Sequence, residues 1–275
     1  MADDRSIDEQ VLTSLEGGVL TITLNRPEAH NAITPDQRNH LIRVLEDASA
    51  DLSVRAVILT AVGKGFCTGA DLRIDREPPP RPAGAPEQAI LDVGRGIKTG
   101  AQRLVAAILD CEKPVIAAVN GTAAGIGSHM ALACDLVVAA EGVRFIEVFI
   151  RRGIAPDGGG AYLLPRLIGV QKAKELMFFG DDLHAEDALA MGLVNRVVPA
   201  DELMDAARAL ADRLAGQPTK VLSLTKMMVN RSLESDRLTM FEFEAMSQDL
   251  LLRGEDAQEG VAAFKERRTP SWKGW

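Results

Sequence analysis

The sequence predicts an α/β core followed by a C-terminal helical unit. Short apolar runs of β type alternate with helical patterns early in the chain, and from Ala200 onward the pattern is helical alone. The stretch Val115 to Asp157, "VIAAVNGTAAGIGSHMALACDLVVAAEGVRFIEVFIRRGIAPD", reads strand, glycine turn, helix, strand, and it ends on a lone acid before three glycines. The division is placed at residues 1–199 for the core and 200–275 for the helical region.

In chain order, Val11 to Leu24 holds two β-type runs around Gly17-Gly18, the signature of a hairpin. The stretch "NRPEAHNAI" (Asn25 to Ile33) is turn-rich. Thr34-Pro35 then supplies an N-cap and a proline at the first helical position, and Leu41, Ile42, Val44 and Leu45 carry the helix to about Ala50. "VRAVILTAV" (Val54 to Val62) is a buried strand, followed by the glycine-rich loop "GKGFCTGADL" (Gly63 to Leu72). The proline-rich run Glu77 to Pro86 excludes regular structure and reads as a surface excursion. A long helix is expected over Glu87 to Leu109, and a buried strand over Val115 to Asn120. Gly121, Gly125 and Gly127 let the chain turn sharply before a helix over Ser128 to Asp135. Helical patches broken at Pro165 and Gly169 follow, then a short helix and strand over His184 to Val198. The last helices are expected over Asp201 to Ala215, Thr219 to Ser232, Glu234 to Leu252 and Glu255 to Arg267.

Composition narrows the function. At 275 residues, 47% hydrophobic and 25% charged, the chain has ordinary globular proportions. The net charge of −8 argues against a nucleic-acid surface, which needs an electropositive footprint. The polar, acidic N-terminus gives no secretory signal, and no uninterrupted apolar run approaches the ~18 residues of a membrane span. Cys67, Cys111 and Cys134 lack metal or disulfide spacing and read as small core residues in a reducing, cytoplasmic setting. The four histidines show no ligand spacing, so no metal is expected.

A strand feeding a glycine turn into a helix leaves the first N–H groups of that helix without internal partners, and such a site stabilises negative charge. The acids able to act beside it are few. Asp157 precedes three glycines and reads either as an active-site carboxylate or as a cap of the following helix. His129, on a helix of small residues, reads as a hydrogen-bonded core histidine or an acid/base.

The motifs "LNRPEAHNAI", "GKGFCTGADL", "AAVNGTAAGIGSHMALACDL", "GIAPDGGGAYLLPRLIG" and "EGVAAFKERRTPSW", spaced in this order, resemble the crotonase family, also called the enoyl-CoA hydratase/isomerase family. The resemblance implies a fold of repeated ββα units with a C-terminal helical region used in trimerisation, assembling as a homotrimer or dimer of trimers. It implies an acyl-CoA substrate and no separate cofactor, coenzyme A being part of that substrate. Two backbone N–H groups would hold the thioester oxygen as an enolate forms; by position they belong to Ala70 and Ile126. One such donor is worth about 2.7 to 4 kcal/mol. Arg26, Ala29, Thr68, Ala70 and Leu72 would follow the coenzyme, and Arg267 would meet a phosphate.

The chain departs from the family's hydratases at the two glutamates that hold and activate water. The matching positions are His129 and Phe149; the match implies pocket wall for Phe149 and, by a local shift of register, a reserve acid in Glu147 two residues before it. Asp157 matches the aspartate of some family isomerases, such as the epoxyphenylacetyl-CoA isomerase. The expectation is therefore an isomerase in which Asp157 moves a proton between two carbons. The rival readings are an enoyl-CoA hydratase, an aspartate nucleophile of dehalogenase type, and an acyl-CoA binding protein without turnover.

Overall fold

The computed structural model describes residues 5–74 and 80–275. Among the described residues, ten strands are arranged in two sheets that run in step. In chain order they are β1 (Val11–Glu16), β2 (Val19–Leu24), β3 (Ala56–Ala61), β4 (Gly65–Cys67), β5 (Val115–Val119), β6 (Thr122–Ala124), β7 (Leu136–Ala140), β8 (Arg144–Ile146), β9 (Asp182–His184) and β10 (Arg196–Val198). The larger sheet has the order β1-β2-β3-β5-β7-β10 and is parallel apart from the β1/β2 hairpin. The smaller has the order β4-β6-β8-β9, parallel until β9. Each successive pair, β3/β4, β5/β6 and β7/β8, sends its first strand to the large sheet and its second to the small one.

The helices are α1 (Ile7–Gln10), α2 (Pro35–Ala50), α3 (Asp92–Ile97), α4 (Arg103–Leu109), α5 (Ile126–Ala133), α6 (Gly160–Ile168), α7 (Val170–Phe179), α8 (Ala185–Ala190), α9 (Leu203–Ala215), α10 (Thr219–Ser232), α11 (Arg237–Leu251) and α12 (Glu255–Glu266). α9 packs across β2, β3, β5 and β7, and α2, α4 and α5 pack in sequence against one another. The central strands β3, β5 and β7 form the buried middle of the large sheet, where Val57, Ile58, Ile116, Ala117 and Val138 are all inaccessible, whereas β1 is exposed beyond Val11. Burying one such Val or Ile stabilises the fold by about 1.5–3 kcal/mol. α10 is fastened to the core by Lys226, whose ammonium donates to the carbonyls of Ile108 and Lys113 and meets Asp135 at 2.8 Å.

The Thr34 cap is present as a full capping box with Gln37. Several expectations need correction. The long helix over Glu87 to Leu109 begins only at Asp92 and passes through a π-helical turn, Lys98–Gln102, before α4; Gly94, Gly96 and Gly100 weaken regular α-helix here. The loop Gly63 to Leu72 contains β4, and the glycine turn after β5 contains β6. The next helix starts at Ile126 and not at Ser128. Pro165 does not break the helix, since α6 runs through it to Gly169. The proline forfeits one backbone bond, and burial of Leu163 and Leu164 holds the helix against the core. The described part of the proline-rich run, 80–86, has no helix or strand, and 77–79 lie outside the described residues. Among the described residues, no helix is long and apolar enough to cross a membrane.

Candidate active site

Because the two sheets run in step, β4, β6 and β8 deliver their C-terminal ends side by side. Ala70 follows β4, Ile126 follows β6, and Glu147 and Phe149 follow β8. In open α/β sheets the crevice outside the carboxyl ends of parallel strands is where ligands bind.

Ala70 forms a parallel bridge with Ile33. Ile33 donates to the carbonyl of Gly69 at 2.8 Å, and Asp71 donates to the carbonyl of Ile33 at 2.9 Å. That pattern uses the groups on either side of Ala70, so the N–H of Ala70 itself points away from the Ile33 segment. Gly69, at φ 110°, lies with its missing side chain toward the carbonyl of Ala124, the last residue of β6. Ile126 is the first residue of α5, so its N–H has no acceptor within the helix.

Three glycines set this approach. Gly125 adopts φ 53°, ψ −124°, which residues with a side chain rarely reach. A Cβ on Gly127 would stand 2.0 Å from the carbonyl oxygen of Cys67, and one on Gly121 would stand 2.1 Å from that of Lys64. The backbone of the second turn therefore lies directly on the first. Cys67 is sealed beneath, and burial pushes its thiol up to about 12.

Behind Ile126, His129 is fully buried. Its Nε2 lies 3.2 and 3.1 Å from the two carboxylate oxygens of Glu147, which is itself buried. The ring stacks on Phe149, with centroids 5.5 Å apart and planes at 14°. Phe149 is itself buried. The Asp157 loop closes over this group: a Cβ on Gly158 would meet Ile126 Cδ1 at 2.6 Å, and one on Gly160 would meet His129 Nε2 at 2.2 Å. Asp157 is half-buried beside them, and the N-cap position of α6 falls to Gly159, two residues on.

Of the expected coenzyme contacts, Thr68 is half-buried and shares the His30 carbonyl through its N–H and hydroxyl, Leu72 is exposed, and Ala29 is buried. Arg267 caps α12 in a left-handed conformation and is exposed. The Arg26 guanidinium is turned inward, to Asp71 at 3.1 Å and the carbonyl of Ala32 at 2.8 Å. Arg73 and Arg26, against the cost of burial, hold the Asp71 carboxyl well below the usual carboxylate range. Asn31 escaped the sequence reading. Its buried amide accepts from the N–H of Arg26 and donates to the carbonyls of Val62 and Gly65, pinning "NRPEAHNAI" to β4. A cleft of about 690 Å³ lies elsewhere, between the end of α4 and α10 to α12; none of the predicted site residues lines it.

The profile of the enoyl-CoA hydratase/isomerase family matches residues 14–275. The chain belongs to that family. It is 38% identical over 266 residues to the 1,2-epoxyphenylacetyl-CoA isomerase of Escherichia coli K12, covering 97% of this chain and 99% of the relative. It is 34% identical to the short-chain-enoyl-CoA hydratase of Clostridium acetobutylicum, over 94% of this chain and 95% of that one. The solved enoyl-CoA hydratase of Bacillus anthracis superposes with a TM-score of 0.86 at 32% identity, covering 97% of this chain and all of the other. Family membership makes this an enzyme of acyl-CoA thioesters. The relatives' names include both isomerases and hydratases.

Proposed function

We propose that the protein is an enoyl-CoA isomerase that shifts a double bond through an enolate, with Asp157 carrying the proton. The single observation behind this reading is the placement of carboxylates around the turn. Phe149 and His129 stand where hydratases of the family hold glutamates, and the ring of each is stacked on the other. Glu147 is committed to His129. Asp157 is carried on the loop packed over Ile126, whose next residue, Gly158, abuts the Ile126 side chain.

In this reading the Ala70 and Ile126 N–H groups donate to the thioester oxygen. The Asp157 carboxylate takes a proton from one carbon, and the C–H electron pair moves into the conjugated system, leaving negative charge on that oxygen. The carbonyl re-forms as another carbon takes the same proton back, so atoms and charge balance without a co-reactant. Thr68, Leu72, Ala29 and Arg267 remain proposed coenzyme contacts; Arg26 would act there through the loop it braces. Exposed Leu238, Phe241 and Phe264 on α11 and α12 support assembly through the C-terminal helices as a trimer or dimer of trimers. Three buried free cysteines support a cytoplasmic setting.

The second reading is hydration of 2-enoyl-CoA, favoured by the hydratase names among the relatives. Incubation with 3-enoyl-CoA and 2-enoyl-CoA in deuterated water, read by mass and NMR, separates the two. Isomerisation predicts double-bond migration with deuterium at the α or γ carbon, lowered roughly 10²- to 10⁴-fold by Asp157→Asn. Formation of 3-hydroxyacyl-CoA at a rate indifferent to that substitution would overturn it.

A further inference from the structure

His129 uses one ring nitrogen inside the protein and presents the other. Glu147 engages Nε2 through both oxygens, and among the described residues no group bonds the buried Nδ1. A carboxylate can only accept, so the proton serving that contact sits on Nε2, and in the neutral ring Nδ1 keeps its lone pair. Leaving a buried polar atom unpartnered is destabilising. The ring has no freedom to turn elsewhere. Phe149 stacks on it, and the Cα of Gly160 abuts it so closely that a Cβ there would lie 2.2 Å from Nε2.

Nδ1 faces the turn that bears the acid: the Cβ position of Gly158, the residue after Asp157, is 3.4 Å from it. Other charged or titratable groups on the surrounding elements are engaged elsewhere. Arg103 of α4 pairs with Glu46, Tyr162 and Arg166 of α6 turn to Glu234, and Arg151 pairs with Asp182. Cys67 of β4 is sealed under Gly127, and Lys98 and Arg152 stand in solvent. Among the described residues, Glu147 is the one charged group bonded to the ring.

We infer that His129 is a positioning residue for Asp157: its Nδ1 accepts a hydrogen bond from the Asp157 carboxyl once that carboxyl carries the substrate's proton, and Glu147 fixes the tautomer that allows it. The proton stays on the Asp157 oxygen and is shared with the ring nitrogen, so no further group is consumed. The bond favours the protonated acid and strengthens Asp157 as a base. The inference rests on the proposed role of Asp157 and gives a reason for the histidine at a position where hydratases of the family hold a glutamate.

The test needs no substrate. Protein carrying carboxyl-¹³C aspartate is titrated by NMR, the Asp157 resonance being the one lost in Asp157→Asn. His129→Phe, which keeps a stacked ring without nitrogens, is expected to lower the Asp157 midpoint by about one pH unit. His129→Asn, whose amide oxygen can stand near the Nδ1 position, is expected to restore at least half of that shift. Glu147→Leu keeps the ring but releases its tautomer, and is expected to lower the midpoint as His129→Phe does. A midpoint unchanged by Glu147→Leu and by whichever His129 variants fold overturns the inference, as does an equal fall in His129→Asn and His129→Phe. Should Asp157→Asn leave deuterium exchange intact, the proposed isomerase chemistry falls, while the NMR midpoints still decide whether the histidine bonds the acid.

Discussion

Gly127→Ala tests the contact on which the site depends. The added Cβ would lie 2.0 Å from the Cys67 carbonyl oxygen, 2.7 Å from its carbon and 2.8 Å from its Cβ. Two of the three opposing atoms are backbone held in the ladder of β4 with β6, so no side-chain rotation relieves the clash. To reach even a tight contact, the two turns must separate by about 1 Å in an interior packed too densely to absorb it. Such overpacking costs about 1–3 kcal/mol of stability. Ile126, the neighbour of Gly127 and a proposed oxyanion donor, moves with it, and a misplacement of about 1 Å at such a group lowers rate roughly 10²-fold. The assay is kcat/KM on an enoyl-CoA thioester beside thermal unfolding, with Gly94→Ala as control, since a Cβ at Gly94 meets nothing within 4 Å. The expected result is a loss of about two orders of magnitude in the folded Gly127→Ala protein and none in the control. Folded Gly127→Ala retaining wild-type kcat/KM would refute the claim that the approach of these turns sets the donor geometry.

The remaining predictions concern the braces around the site. The Asp71 carboxyl titrates lower in the folded protein than in the unfolded chain, so its contribution to stability is present above the unfolded value of about 3.9 and is lost as pH falls through the folded one. Urea unfolding between pH 5 and pH 2 is expected to show a shallower acid loss in Asp71→Asn than in wild type. Arg26→Met leaves the buried Asp71 charge without one of its partners and is expected to cost about 3–5 kcal/mol in the same assay at pH 7. Thr34→Ala removes the capping box of α2 and is expected to cost about 1 kcal/mol, with kcat unchanged.

What could be read from the sequence followed the length and locality of each signal. The β1/β2 hairpin, the Thr34 cap and the helices from Leu203 onward carry their instructions within a few residues, and they fold where expected. β4, β6, β8 and β9 are three residues each, too short to display a period that would tell them from loop. Those short strands bring the site together, so the turns at Ala70 and Ile126 were legible as turns while their adjacency came only by family likeness. Long-range pairs were equally opaque. His129 and Glu147 are 18 positions apart and Arg26 and Asp71 are 45 apart, and neither spacing announces a contact. Arg26 shows the cost, since the family resemblance assigns it to the coenzyme and nothing in the spacing announces that its guanidinium turns to Asp71 and the carbonyl of Ala32.

The pairing of β3/β4 with β5/β6 also bears on how such a site can change over generations. If the donors at Ala70 and Ile126 act as proposed, they belong to the main chain, and nearly every point mutation there rewrites the side chain while leaving the N–H in place; proline alone deletes it. The group that handles the proton is a side chain on a separate loop, and a single codon can replace it. The capacity to hold a carbonyl oxygen is then inherited with the scaffold, and the reaction performed on the held molecule is open to rapid substitution. A lineage built this way diversifies in chemistry faster than in the kind of molecule it grips.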